Sequence, residues 1–321
     1  MKWTLLHLDA SAHPARLEES RARSFQCGAL EHGLHYAGPV QSLRWLEVHR
    51  CHAPAGRGAG LDGYGDALQA ACREAGGAPW VVSLGCGGGG KEAAFLARSG
   101  ATPSGAVAVD TSPTLVWTAL EAWQAARSGL AFHGLAADLA ASARWAPGLD
   151  AWTGATPRVF TFFGLLPNWE PAAAKDALRP LLRAGDILVL GANLAPDAGG
   201  TSGAVRVLPQ YNNPETVHWL SAALEDAGIP PACWTPEWSL AEASGWARIE
   251  ARARFTAPAE ARWPGGSRRF SPGDGLRLFF SNRPAAAQVR RWIEEGVGRI
   301  RAEWLDENRE EGRWMVRCTG S

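Results

Sequence analysis

Val81-Val82-Ser83-Leu84-Gly85-Cys86-Gly87-Gly88-Gly89-Gly90-Lys91 decides the fold of this chain. An apolar strand enters a turn packed with glycine, and the helix-forming run Glu92-Ala93-Ala94-Phe95-Leu96-Ala97 follows it. A nucleotide-type ligand needs that order. The strand brings the backbone to the sheet edge, and glycines let a ligand approach the main chain without a Cβ in the way. The helix start adds unpaired N–H groups.

Three nucleotide sites share this outline. A phosphate-gripping P-loop requires Ser or Thr after its lysine, and Lys91 is followed by Glu92. The dinucleotide fingerprint G-x-G-x-x-G is satisfied by Gly85, Gly87 and Gly90, a weak match in a run this rich in glycine. The third is the S-adenosyl-L-methionine (SAM) site of class I methyltransferases, which read E/D/S-x-G-x-G at the first strand. The sequence downstream favours it. Ala106-Val107-Ala108-Val109-Asp110 and Ala131-Phe132-His133-Gly134-Leu135-Ala136-Ala137-Asp138 are further buried strands, each ending in an acid. Ligands sit at the carboxyl ends of parallel strands, so Gly85, Asp110 and Asp138 are expected around one crevice. There Asp110 suits the ribose hydroxyls, although each acid also suits a helix cap.

Strand and helix alternate through residues 80–195. Strands are expected at Arg158–Phe163 and Asp186–Gly191, and helices at 113–128 and 170–182. This is the pattern of a doubly wound, Rossmann-like parallel sheet in an α/β fold. Arg301–Leu305 and Arg313–Cys318 flank a polar turn and predict a C-terminal antiparallel hairpin. Residues 1–55 look helical but irregular, and Pro54–Gly60 reads as a flexible joint. Between 198 and 284 the alternation breaks into glycine and proline clusters, with one helix near 214–227 and strand-like runs at 246–256 and 276–281. The division expected is a cofactor-binding domain of 57–197 and 285–321, and a discontinuous α+β substrate domain of 1–56 and 198–284.

Composition narrows the function. In 321 residues, 32 Lys+Arg balance 32 Asp+Glu, leaving no basic footprint for nucleic acid or a membrane surface. No apolar run approaches the ~20 residues of a membrane span, and the N-terminus does not read as a signal peptide. Six scattered cysteines without a C-x-x-C pair argue against a zinc site and for reduced thiols in the cytoplasm. No metal is expected. The partner expected is a small molecule, and the chain is expected to be a monomer or weak dimer. Sixteen tryptophans against three tyrosines leave room for an aromatic acceptor pocket.

The chain resembles the histidine Nα-methyltransferases of ergothioneine biosynthesis, a two-part class I methyltransferase family. The likeness runs over about 80–320, with a weaker match before 56. Gly85-Cys86-Gly87 with Lys91 is similar to that family's glycine loop. Phe163-Gly164-Leu165-Leu166-Pro167-Asn168-Trp169-Glu170-Pro171 looks like its G-[ST]-x-x-G-N-[LF]-x-P segment, one residue shorter. Gly185–Asp197 is similar to its G-D-x-L-L-L-G-x-D-L-x-K-D, and Tyr211-Asn212-Asn213 sits where it has Y-D-D. The resemblance implies SAM as methyl donor, S-adenosyl-L-homocysteine (SAH) as product, and Gly85, Cys86, Gly87, Lys91, Asp110, Asp138, Phe163 and Gly164 around the donor. It implies an amino acid acceptor with Asn168 at the α-amine, Tyr211 beside the amino acid and Tyr36 at the carboxylate. His35 and His218 are weaker candidates for orienting the acceptor.

One departure bears on the substrate. The family grips an imidazole with a Glu-x-Ser pair. Here Ser281 matches the serine, but Phe279 replaces the glutamate. A phenyl ring cannot accept an imidazole N–H. Losing that charge-assisted bond costs about 1.5–3 kcal/mol, or roughly tenfold to hundredfold in affinity. The expectation is therefore N-methylation of a histidine-related amino acid, at the α-amine or at a ring nitrogen of a thio- or seleno-imidazole, since an apolar wall tolerates a soft, polarizable atom. Methylation of an indole or other aromatic amine, and a catalytically silent SAM-binding protein, are the alternative readings.

Overall fold

The computed structural model describes residues 5–52, 59–98, 100, 102–196 and 200–320. Most of the joint expected at 54–60, and Asp197 of the G-D-x-L segment, lie outside these.

The N-terminal part holds β1 (Leu5–Leu8), α1 (Pro14–Cys27) and α2 (Pro39–His52). The alternating part runs α3 (Ala59–Ala75), β2 (Trp80–Leu84), α4 (Gly90–Leu96), β3 (Gly105–Asp110), α5 (Pro113–Ala126), β4 (Ala131–Ala136), α6 (Ser142–Thr153), β5 (Arg158–Phe163), α7 (Pro171–Leu178) and β6 (Ile187–Asn193). After it come α8 (Gly200–Val207), α9 (Pro214–Asp226), β7 (Trp234–Ala243), β8 (Trp246–Phe255), β9 (Ala259–Trp263), β10 (Gly266–Phe270) and β11 (Gly275–Arg283). The chain closes with α10 (Ala286–Glu294), β12 (Gly298–Leu305) and β13 (Glu311–Cys318).

One eight-stranded sheet, in the order β1-β4-β3-β2-β5-β6-β13-β12, forms the centre. Every pairing in it is parallel except those of β13, which runs antiparallel to β6 and β12. The chain winds outward from β2 through β3 to β4, then returns to place β5 on the other side of β2. Ligand crevices open at such a reversal. All five residues of β2 are buried, because helices cover both faces and each face needs apolar side chains. Alternation divides them. Val82 and Leu84 join Phe160, Leu149, Leu178 and Trp292 on one face, while Val81 joins Leu68, Val116, Trp123 and Phe132 on the other. The sheet is the doubly wound α/β architecture read from the sequence, with its C-terminal hairpin.

A third core lies outside this sheet. Phe25, Leu34, Trp219, Leu220, Ile249, Phe255, Leu276 and Leu278 are all buried, and most belong to one cluster joining α1, α9 and the three-stranded antiparallel sheet β11-β8-β7.

Two expectations are corrected here. Leu5–Leu8, read as part of an irregular helical segment, is a strand paired with β4. Its leucines at 5, 6 and 8 stay well exposed on the sheet edge, so it carries no buried-strand pattern. The region after 198 also holds β7, β9, β10 and α8, none of them expected. Pro236 obscures β7 in sequence, yet β7 is an edge strand, where a residue without an N–H is tolerated.

Candidate active site

The glycine turn follows β2 directly. Gly85, Gly87 and Gly89 take φ of +64°, +52° and +68°, conformations that side chains avoid. Space forbids a side chain as well. A Cβ on Gly87 would lie 2.6 Å from the Trp45 ring, and one on Gly89 would lie 2.7 Å from Ala119 and from Trp123 Nε1. The loop is thus drawn tight against α5 on one side and covered by α2 on the other.

Asp110, at the tip of β3, organises this crevice. Its Oδ2 accepts the Gly87 N–H at 3.1 Å and its Oδ1 accepts the Ser112 N–H at 3.0 Å. Burial pushes its pKa up to about 6, against the pull of those backbone donors. Each oxygen keeps lone-pair capacity for a further donor. Ser112, not Asp110, caps α5. Asp138 does cap: its Oδ1 accepts the Ala140 N–H at 2.9 Å ahead of a short turn. It still lines the cavity, and burial raises its pKa. Beneath the loop, buried Glu92 accepts the hydroxyls of Ser83 and Thr161, each at 2.8 Å. Lys91 lies over the Tyr64 ring, 4.3 Å from its centroid, and over Phe163 at 5.4 Å. Burial lowers its pKa.

Across the cavity stands a wall from the third core. In β11 the ladder to β8 slips between Arg277 and Phe279, leaving Leu278 as a bulge. A bulge re-aims the residues after it, and Phe279, Ser281 and Arg283 all line the cavity. Tyr211 Oη donates to Ser281 Oγ at 2.9 Å and accepts from Arg283 Nε at 3.0 Å and Nη2 at 2.5 Å. Arg283 is 5% exposed, donates also to the Leu194 carbonyl, and has no carboxylate partner among the described residues. Phe279 packs against Trp219 and Tyr211. Asn168 lines the same cavity, its amide 3.5 Å from the Gly164 carbonyl. Glu170 occupies the cap position of α7, so the Asn168 amide is not spent there.

The N-terminal segment closes the cavity. Tyr36 lines it, and burial, with Asp110 nearby, keeps its phenol protonated well beyond the usual range. His32, one turn earlier, packs against Phe279 with ring centroids 5.2 Å apart and the rings tilted by 34°. Trp45 and His49 of α2 complete the cover, and burial beside Lys91 holds His49 down to about 4.

The cavity measures about 1160 Å³ and brings together Gly85, Cys86, Gly87, Lys91, Asp110, Asp138, Phe163, Gly164, Asn168, Tyr36, Tyr211, Phe279 and Ser281. Two expected residues lie outside it. His35 is fully buried behind the wall, its Nε2 2.6 Å from the Leu278 carbonyl that the bulge frees. His218 lines a separate cleft beside α9. Asn213, which stands at the second Asp of the family's Y-D-D, caps α9 by accepting the Thr216 N–H at 2.8 Å. Sequence reading missed Arg283, His32, Trp45 and His49. A signal existed for two: Arg283 follows Ser281 by one strand period, and His32 precedes Tyr36 by one helical turn.

A family model described as "Histidine-specific methyltransferase, SAM-dependent" matches residues 61–318. None of the curated proteins matches. Among solved structures, the chain is similar to Burkholderia thailandensis 1,6-didemethyltoxoflavin-N1-methyltransferase, solved with SAH, at 12% identity over 87% of this chain and 88% of that one, TM-score 0.44. It is similar to the mitomycin 7-O-methyltransferase MmcR at 14% identity over 95% and 69%, TM-score 0.44. It is also similar to Streptomyces venezuelae DesVI at 12% identity over 86% and 96%, TM-score 0.36.

Proposed function

The chain belongs to the histidine-specific, SAM-dependent methyltransferase family, and from that premise we propose that it N-methylates a small histidine-related amino acid. The reaction nitrogen is the α-amine or a ring nitrogen, with a thio- or seleno-imidazole included among the acceptors. The observation that carries this reading is one cavity with two unlike halves: a glycine crevice under Asp110, and an aromatic wall holding Arg283, Tyr211, Ser281 and Asn168.

The donor half fits SAM. The glycine turn at Gly85 to Gly90 lines the cavity with main chain, and the Asp110 carboxylate, already tied to the loop, retains capacity for ribose hydroxyls. When bound, SAM supplies an electrophilic methyl on a sulfonium. The chain's own task is to hold a neutral nitrogen in line with it and exclude water, and such positioning can supply ~7–11 kcal/mol. Arg283 suits a carboxylate, since it is a buried cation without an ion pair among the described residues. Tyr211, fixed by Arg283 and Ser281, and Asn168 suit the polar end of the amino acid. Tyr36 acts as a hydrogen-bond donor, its phenol being held protonated. The nitrogen therefore sheds its proton before attack.

This reading assigns 57–197 and 285–321, with β1 added, to the donor, and the rest of 1–56 with 198–284 to the acceptor. Six cysteines scattered without a C-x-x-C pair suit a reducing, cytoplasmic setting. No helix among the described residues is long and apolar enough to cross a membrane.

The test is methyl transfer from SAM to L-histidine, to its thiol-bearing ring derivatives and to indole amines, read by product mass and by the NMR position of the new methyl. A methylated histidine-type nitrogen is expected. A methyl on the indole amines alone replaces this acceptor with the aromatic-amine reading. Binding of SAH with no transfer to any of them favours a silent SAM-binding protein.

A further inference from the structure

The wall carries a polar ring whose hydrogen bonds the fold leaves largely unspent. His32 and His35 sit on one short helical turn, His32–His35, and their fates differ. His35 is consumed by the Leu278 carbonyl behind the wall. His32 is half-buried and lines the cavity. Its ring lies 5.2 Å from Phe279 at 34°, 5.6 Å from Tyr36 and 6.1 Å from His35. Its one hydrogen-bond contact among the described residues is Nε2 to Tyr36 Oη, at 3.4 Å. That is the outer limit of a hydrogen bond, easily exchanged for a better partner.

We propose that His32 is an acceptor-binding, specificity-determining residue: packed against Phe279, its imidazole hydrogen-bonds a ring heteroatom of the acceptor. This deepens the function above and rests on it. Phe279 presents only apolar surface, so a heteroaromatic ring lying against it needs its polar edge satisfied by a neighbour. Burial, with His35 beside it, holds His32 down to about 3, so its ring is uncharged around neutrality. A neutral imidazole offers one donor and one acceptor. It can therefore meet a ring heteroatom either as donor or as acceptor. The acceptor class is an amino acid whose side chain is a planar heterocycle, its carboxylate towards Arg283.

The test uses the full chain saturated with SAH at pH 8, titrated calorimetrically with L-histidine and with its 5-thiol derivative. Wild type, His32→Phe and His32→Gln are compared. The Phe variant keeps the ring packing and loses the hydrogen bond, and it is expected to bind the tighter probe about tenfold more weakly. The Gln variant restores a donor and an acceptor and recovers most of that loss. SAH affinity is expected to stay within about twofold in all three, since no contact joins His32 to the glycine loop. A second measurement needs no variant: the ring nitrogens of 15N-labelled His32 must shift when a probe binds the wild-type complex. A Phe variant that binds the probe as tightly as wild type, or unmoved His32 resonances on binding, overturns the proposal and leaves the function standing. A wild-type complex that binds neither probe removes the acceptor reading, and the proposal with it.

Discussion

Asp110 shows how much one carboxylate decides. It ties the glycine turn to β3 through Gly87 and starts α5 through Ser112, and in the function proposed above it is the acid that meets a ribose. The charged form performs all three roles, because a protonated acid gives up acceptor capacity. Burial raises its pKa to about 6, close to working pH. The sign follows. Above pH 6 the carboxylate is present and the donor site complete. Below pH 6 protonation competes with binding, and SAH affinity is expected to fall, approaching tenfold per pH unit if only the charged form binds. Calorimetry of SAH between pH 5 and 8 measures this. Asp110→Asn should bind weakly with a flat profile; an equal slope in that variant would assign the titration elsewhere. Asp110 was legible in sequence because an acid at a strand tip is a local pattern. Arg283 was not, since its role depends on lacking a carboxylate partner, which only the folded neighbourhood reveals.

At the scale of elements, legibility tracks burial pattern. The strands β2 to β6 announce themselves as short apolar runs because helices cover both faces of the sheet. The edge strands β1 and β7 do not: one is too short and exposed, and the other contains Pro236. The bulge at Leu278 is also silent in sequence. It nevertheless sets which side chains of β11 reach the cavity, and it frees the carbonyl that takes His35 out of the site. Helix α2 matters most for the donor. Its Ser42 hydroxyl lies 2.7 Å from that of Ser112, and Arg44 pairs with Glu225 of α9 at 2.9 Å, so the helix is pinned over the crevice at both sides. Trp45 lies against Gly87 of the glycine turn and Leu46 against Gly88. Trp45→Ala should leave the fold intact and open the cover. Stopped-flow displacement of SAH is expected to show dissociation faster by on the order of tenfold, with the association rate little changed. An unaltered dissociation rate would mean that α2 roofs the cavity without retaining the donor.

Across the whole molecule, the third core and its antiparallel sheet are joined to the Rossmann-like sheet by a polar seam. Arg248, 4% exposed, pairs with Glu170 across the seam at 2.7 Å and holds Asn282 within its own module, donating to its Oδ1 at 2.8 Å. Asn282 Nδ2 donates to the Trp169 carbonyl at 2.7 Å, and the Ala195 N–H donates to the Pro284 carbonyl at 3.0 Å. Unfolding either half alone would exchange these bonds for water, at a net loss of about 0.5–1.5 kcal/mol for each. Several such losses together are a sizeable share of total stabilities of about 5–15 kcal/mol. The two halves should therefore melt as one unit. SAH at a hundredfold excess over its Kd should stabilise that unit by about 2.7 kcal/mol through mass action, raising Tm by several degrees. Tryptophan fluorescence and far-UV circular dichroism measure the two predictions at once, because tryptophans such as Trp123 and Trp292 lie against the sheet while Trp219 and Trp234 lie in the third core. Coincident transitions that move together with SAH are expected. Two separate transitions, with SAH moving only one, would show that the seam does not couple the halves and that the cavity between them assembles from independently folding parts.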